Sequence, residues 1–122
     1  MTIALAPRRR FDGARYQLTG ELSKNSTWSQ VLEFPADGAT VTLTGLTIYI
    51  TFRELDDETG TLTLSTTDGQ ITITDADTLT ILATADDLSG LESGLYRVDI
   101  TSGTGPTHWA SGKVAITNNP AL

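Results

Sequence analysis

His108, the single histidine of the chain, lies between Asp99 and Ser111 in sequence, so the three residue types of an acyl-transfer triad are at hand. Such a site needs the histidine as a base between a carboxylate and a hydroxyl nucleophile. No serine here has the glycine-flanked pattern that lifts a nucleophile above a sheet. The reading is therefore a strand or loop histidine, no catalytic residue and no enzyme. Cysteine is absent, which removes a thiolate nucleophile, a thiolate metal site and a disulfide framework.

Two acidic groups supply hard oxygen ligands of the kind calcium takes, Asp56-Asp57-Glu58 and Asp75-Ala76-Asp77. Neither has the glycine and distant glutamate of a calcium-binding loop, so both are read as solvated turns, with no metal and no cofactor. Trp28, Tyr49 and Trp109 could stack on a sugar, which keeps a carbohydrate-binding module as a competing class. Aromatic residues are only 7% of the chain, however, and Trp28 falls on a core-facing parity. Asn25-Ser26-Thr27 matches a glycosylation acceptor, but the apolar run after Met1 is too short for a secretory signal and no basic residue precedes it. Nothing approaches a membrane span. The expectation is a soluble protein made and used without export, with no membrane partner.

Charge is the feature without an evident structural reason. The 122 residues carry a net charge of −7, which argues against a nucleic-acid partner held by the overall field. Within residues 1–15, four basic groups (Arg8, Arg9, Arg10 and Arg15) meet one acid, Asp12, for a net of +3. The remaining four basic and fourteen acidic groups give −10. Arg8, Arg9, Arg10, Phe11 and Arg15 are thus the residues assigned to docking a partner. Residues 1–15 are read as a basic N-terminal arm, ordered mainly by contact with something else.

The elements that must position these groups are strands. In Gly94–Thr101, Tyr96, Val98 and Ile100 share one face, and Leu95, Arg97, Asp99 and Thr101 share the other. Trp28, Gln30, Leu32 and Phe34 alternate in the same way. Thr40–Arg53 carries the strongest β signal, with Ile48, Ile50 and Phe52 on one parity. Leu62 and Leu64, Ile71 and Ile73, and Leu79, Ile81 and Ala83 mark shorter strands, with a hairpin-type turn at Asp68-Gly69 and another turn at Asp75-Ala76-Asp77. Val114 and Ile116 belong to the last strand. Thr84–Leu91 alone has helical spacing, with Thr84 as its cap. Threonine, 22 of 122 residues, alternates with Ile and Leu and reads as outer strand faces. Seven to nine short strands at this spacing predict an all-β sandwich or barrel. One domain, residues 16–117, follows the arm and precedes a tail, residues 118–122.

Four pieces occur in a fixed order: Thr27–Phe34; Val41–Ile48 running on to Arg53; Leu79–Leu88; and Gly94–Ile100 followed by Ala110–Ile116. In this order they resemble the small immunoglobulin-like β-sandwich modules of tailed-bacteriophage virions. They are similar in particular to the N-terminal module of upper-baseplate and receptor-binding-protein attachment subunits. The resemblance covers about Thr27 to Thr117. It implies an immunoglobulin-like antiparallel β-sandwich of about seven to nine short strands with an extended N-terminal arm. It also implies a virion structural protein assembled in the host bacterial cytoplasm, in a multi-copy contact with other virion proteins. The tail tip or baseplate is favoured, and head decoration or fibre docking is the runner-up.

Overall fold

Period-two alternation governs nearly every element that forms. The computed structural model describes residues 3–12, 14–34, 42–54, 60–103 and 107–117; at 6–12, 14–15, 60–61 and 107 it describes the backbone only. Nine strands occupy them: β1 Ile3–Asp12, β2 Ala14–Ser23, β3 Trp28–Glu33, β4 Ile48–Glu54, β5 Gly60–Ser65, β6 Ile71–Asp75, β7 Thr78–Ala83, β8 Gly94–Ser102 and β9 Thr107–Thr117. Six form one sheet in the order β1-β2-β9-β8-β4-β5, and three form a second in the order β3-β7-β6. Among the described residues there is no helix.

The inner faces of the two sheets make one core. Ile48, Ile50, Phe52, Val98 and Ile100 are fully buried and Tyr96 nearly so, as their alternation predicts. They come from adjacent strands, with Ile50 opposite Ile100 and Phe52 opposite Val98, so they form a floor that the other sheet must cover. Aromatic rings make the join. Trp28 meets Phe52 edge-on with centroids 6.3 Å apart, Tyr16 meets Phe34 at 5.3 Å, and Phe34 meets Trp109 at 6.1 Å. Each such pair adds about 0.5–1.5 kcal/mol beyond the burial of its area.

The N-terminal segment departs from the arm expected of it. Ile3 to Pro7 pair antiparallel with Tyr16 to Gly20, and β2 then pairs with β9 from Tyr16–Ala110 to Ser23–Thr117. Ile3 is buried. The Gln30 side chain on β3 accepts a hydrogen bond from the Ile3 amide (3.1 Å) and donates one to the Ile3 carbonyl (2.7 Å), while Trp28 Nε1 donates to the same Gln30 oxygen at 2.9 Å. The start of β1 is thus tied to both sheets. The alternation of Ile3, Ala4 and Leu5 was too short a signal to mark the strand in advance. Pairing begins within residues 1–15, and β2 runs across the expected boundary at residue 15. The expected C-terminal tail, residues 118–122, lies outside the described residues.

The β2–β9 pairing is parallel, which corrects the wholly antiparallel expectation; the other neighbouring strands run antiparallel. Parallel neighbours need a long connection, and everything from β3 to β8 supplies it. Gly112 permits this contact. It stands opposite Leu18, and a Cβ at residue 112 would run into the Leu18 backbone carbonyl. Only glycine allows the two backbones so close.

Three further expectations change. The long strand read from Thr40 to Arg53 is a strand only from Ile48 onward. Before it, Gly45 adopts φ 84°, a left-handed conformation that glycine takes at little cost, and the Leu46 amide turns back onto the Leu43 carbonyl at 3.0 Å. Residues 40 and 41 lie outside the described residues. Asp68-Gly69 is a corner, not a hairpin, because β5 and β6 belong to different sheets. There the buried Ser65 hydroxyl accepts from the Asp68 amide at 3.0 Å. Thr84–Leu91 forms turns and no helix. Thr84 and Asp87 do exchange the reciprocal bonds of a capping box, at 2.9 and 3.2 Å, but a single four-residue bond, Leu88 to Thr84, follows. The segment ends where the Tyr96 hydroxyl accepts from the Glu92 amide at 2.9 Å.

Because Ile50 is fully buried in the floor of the core, Ile50→Ala should destabilise the fold by about 2–5 kcal/mol. Urea unfolding measures this directly, and a loss below about 0.5 kcal/mol, within the range of ordinary surface changes, would contradict the packing.

Candidate functional site

The outer face of the larger sheet gathers Arg53 of β4, Arg97 and Asp99 of β8, and His108 and Lys113 of β9. A bulge in β9 decides which side chains reach it. Ile100 pairs with Ala110 but Thr101 pairs with His108, so Trp109 is the extra residue. An extra residue reverses the facing of everything before it. Ala110 and Val114 therefore face the core, Trp109 turns inward to donate to Ser102 Oγ at 2.9 Å, and His108 emerges on the outer face. Simple alternation through Ala110 would have buried His108.

On that face Asp99 is the hub. Its side chain is 4% exposed, although it points away from the core. Cover comes from its partners. His108 Nε2 donates to Oδ1 at 2.9 Å, and Arg53 Nη1 and Arg97 Nε each stand 3.5 Å from Oδ2. Arg53, Arg97, Asp99 and His108, with Thr51 and Thr101, line a shallow depression of about 240 Å³. A buried carboxylate needs such partners, because desolvating an unpaired charge costs several kcal/mol.

The chemistry open to this cluster is limited. The carboxylate–histidine half of a triad is present, but no hydrogen bond joins His108 to a serine among the described residues. Ser111 stands opposite Asp99 on β9, in a different row from His108. Backbone amides in a ladder lie in the plane of the sheet, so these strands aim no donor pair at an oxyanion above the face. What the cluster does offer is fixed positive charge. Arg53 Nε is buried without a hydrogen-bond partner, and the Arg97 side chain is 51% exposed.

The residues singled out in the sequence fall in several places. Arg8, Arg9, Arg10 and Phe11 lie in β1, between Pro7 and Asp12, where the register with β2 shifts. Arg15 lies in β2 just before its first partner on β9. The backbone thus puts all five into the two-stranded ribbon of β1 and β2. Trp28 and Trp109 are buried, so the stacking surface they would have made with Tyr49 is not assembled. Asp75 Oδ1 accepts from the Ala76 amide at 2.8 Å and Asp77 Oδ1 from the Thr78 hydroxyl at 2.9 Å, the bonds of an ordinary turn. Asp56, Asp57 and Glu58 lie outside the described residues.

Sequence reasoning missed Arg53, Arg97 and Lys113 as a group. Alternation already put Arg97 and Asp99 on one face, and Arg53 with Tyr49 and Thr51 on another. The register that joins those faces is not written locally. No protein-family model matches the chain, and no curated protein sequence matches it.

Removing the hub should leave two arginines facing each other without a counter-charge. Asp99→Ala is expected to lower stability by about 1–3 kcal/mol, the scale for unpairing a buried polar group with partly exposed partners. His108→Ala should cost less, since one partly exposed bond is lost. Equal stability of Asp99→Ala and wild type in chemical denaturation would show that the hub does not hold the face together.

Proposed function

We propose that this chain is an immunoglobulin-like β-sandwich that acts as a structural connector of a tailed-phage particle, at the tail tip or baseplate, docking neighbouring virion proteins in a multi-copy assembly. The sheet order supports the immunoglobulin-like reading. The larger sheet has an N-terminal strand parallel to the last strand, and the smaller sheet holds the second, sixth and fifth strands counted from β2. This fits the immunoglobulin arrangement once β5, which extends the larger sheet beyond β4, is taken as an added strand. Immunoglobulin-type domains also carry a tyrosine near the start of the penultimate strand whose hydroxyl bonds back to the upstream backbone, with a cysteine two residues later. Tyr96 bonds to the Glu92 amide in this manner, and Val98, fully buried, takes the second position. Apolar packing would there replace the disulfide that a cysteine-free chain lacks.

The virion reading draws on the order of the four resembling sequence pieces. The docking role draws on one observation above the others: half of the eight basic residues sit in one β-ribbon on an otherwise acidic chain. Exposed ion pairs contribute about 0–1 kcal/mol each, so a ribbon needs several of them, and guanidinium–carboxylate pairs add direction. The two strands are paired on either side of the arginines, at Pro7–Tyr16 and Asp12–Ala14, which limits the chain entropy lost on docking.

Deleting the ribbon would remove the buried Ile3, so neutralising its charge is the cleaner test. The triple variant Arg8→Gln, Arg9→Gln, Arg10→Gln should melt as the wild type does and be incorporated poorly into particles. Association of the wild type should weaken as salt rises. Full incorporation of the triple variant, measured by mass spectrometry of purified particles, would refute the docking role. Absence of the wild-type protein from those particles would refute the virion reading itself.

A further inference from the structure

Outside the ribbon, the described residues form a cationic surface built from positions far apart in sequence. Arg53 on β4 pairs in register with Arg97 on β8, and Arg97 with Lys113 on β9. Three of the four basic residues outside the first fifteen positions therefore stand in one row across three adjacent strands. Like charges placed directly opposite on a sheet destabilise it. Two of them share one carboxylate, that of Asp99, and Lys113 makes no ion pair among the described residues. A purely structural network would be expected to balance its charges, but this row holds three cations, and the acids in the rows on either side of it are two, Asp99 and Glu21. The surplus stands on a chain whose remaining surface is strongly acidic.

We propose that this row is a docking site for an extended acidic protein segment bearing at least two carboxylates. Strands lie about 4.8 Å apart, so the row spans about 10 Å from β4 to β9. A single phosphate or sulfate touches both ends only if the two long side chains converge on it, which turns Arg53 from the direction in which Asp99 holds it. Carboxylates on alternate residues of an extended segment are spaced by about 6.8 Å, which suits a row of this length. Asp99 holds the inner edges of Arg53 and Arg97 and fixes their direction. The outer amino groups of Arg97 and the Lys113 ammonium remain for the partner. The open depression over Thr51, Thr101 and His108 gives one carboxylate room to enter beside Arg53 and Arg97, leaving Lys113, outside the depression, for a second. The site stands on this row alone; only the identification of its partner as a neighbouring virion protein rests on the docking reading above.

The test is a titration of the purified full-length protein, followed by side-chain and backbone NMR shifts, with hexaglutamate as the probe. Hexaglutamine and sodium phosphate, at matched ionic strength, are the comparisons. Hexaglutamate should produce saturable shifts centred on β4, β8 and β9. Arg97→Gln, at a half-exposed position, should fold normally and weaken binding by about fivefold or more, the scale of one lost charge-assisted contact. Lys113→Gln, fully on the surface, is the second variant and should also weaken it. Lys24→Gln, the remaining basic residue outside the ribbon and the row, should not. Phosphate binding as tightly as hexaglutamate would overturn the proposal in favour of a single-oxyanion site. Equal weakening by Lys24→Gln and Arg97→Gln would overturn it in favour of unspecific charge attraction. Because no particle is involved, failure here leaves the ribbon's role untouched, and failure of particle incorporation leaves the row's binding untouched.

Discussion

The close approach of Leu18 and Gly112 is the constraint on which the architecture turns. It is a contact between two backbones, and it lets β2 run parallel to β9 along the open edge of the antiparallel strands. Without it the N-terminal hairpin would have one fewer partner and the larger sheet would end at β9. Tyr16, Leu18 and Leu22, all buried on β2, would lose their place over the core. Phe34 would also lose the Tyr16 ring that it meets edge-on. A residue with no side chain thus determines whether a strongly basic ribbon is attached to an acidic domain as part of its sheet or as a loose tether.

The β9 bulge has a comparable reach on the other face. By admitting one extra residue, it lets Trp109 close the end of the core against Phe34 and Ser102 while His108 covers Asp99 outside. Core and surface are coupled through this single irregularity. The charged face is therefore held by packing beneath it, which matters for the proposed docking, since preorganised side chains lose less freedom on binding.

How much of this was legible depends on how local the signal is. The faces of β3, β4, β7 and β8 follow from alternation alone, because Trp28, Ile50, Leu79 and Val98 each stand between residues with polar groups in sequence. The capping pair of Thr84 and Asp87 was legible in part for the same reason. The helix was not, because Leu88 and Leu91 can be buried by turns as well as by a helix. Glycine at position 45 interrupts a run whose composition favours a strand throughout. The row of Arg53, Arg97 and Lys113 could not be read, because it depends on register between strands that no local pattern encodes. Asp99 shows the same limit. Its parity correctly points outward, yet it is buried, because its cover comes from two other strands and from the bulge.

The proposed docking role has the basic residues of the ribbon and of the row bridging acidic neighbours, with the two packed sheets as their support. That account depends most directly on β2 being a true member of the larger sheet. Native-state hydrogen exchange on the wild type and on Gly112→Ala tests this. The account predicts that wild-type amides of Tyr16–Leu22 are protected to nearly the degree of their β9 partners. It predicts that the substitution abolishes that protection while leaving Ile48–Phe52 and Tyr96–Ile100 protected. Fast exchange throughout β2 in the wild type, or unchanged protection in Gly112→Ala, would contradict it.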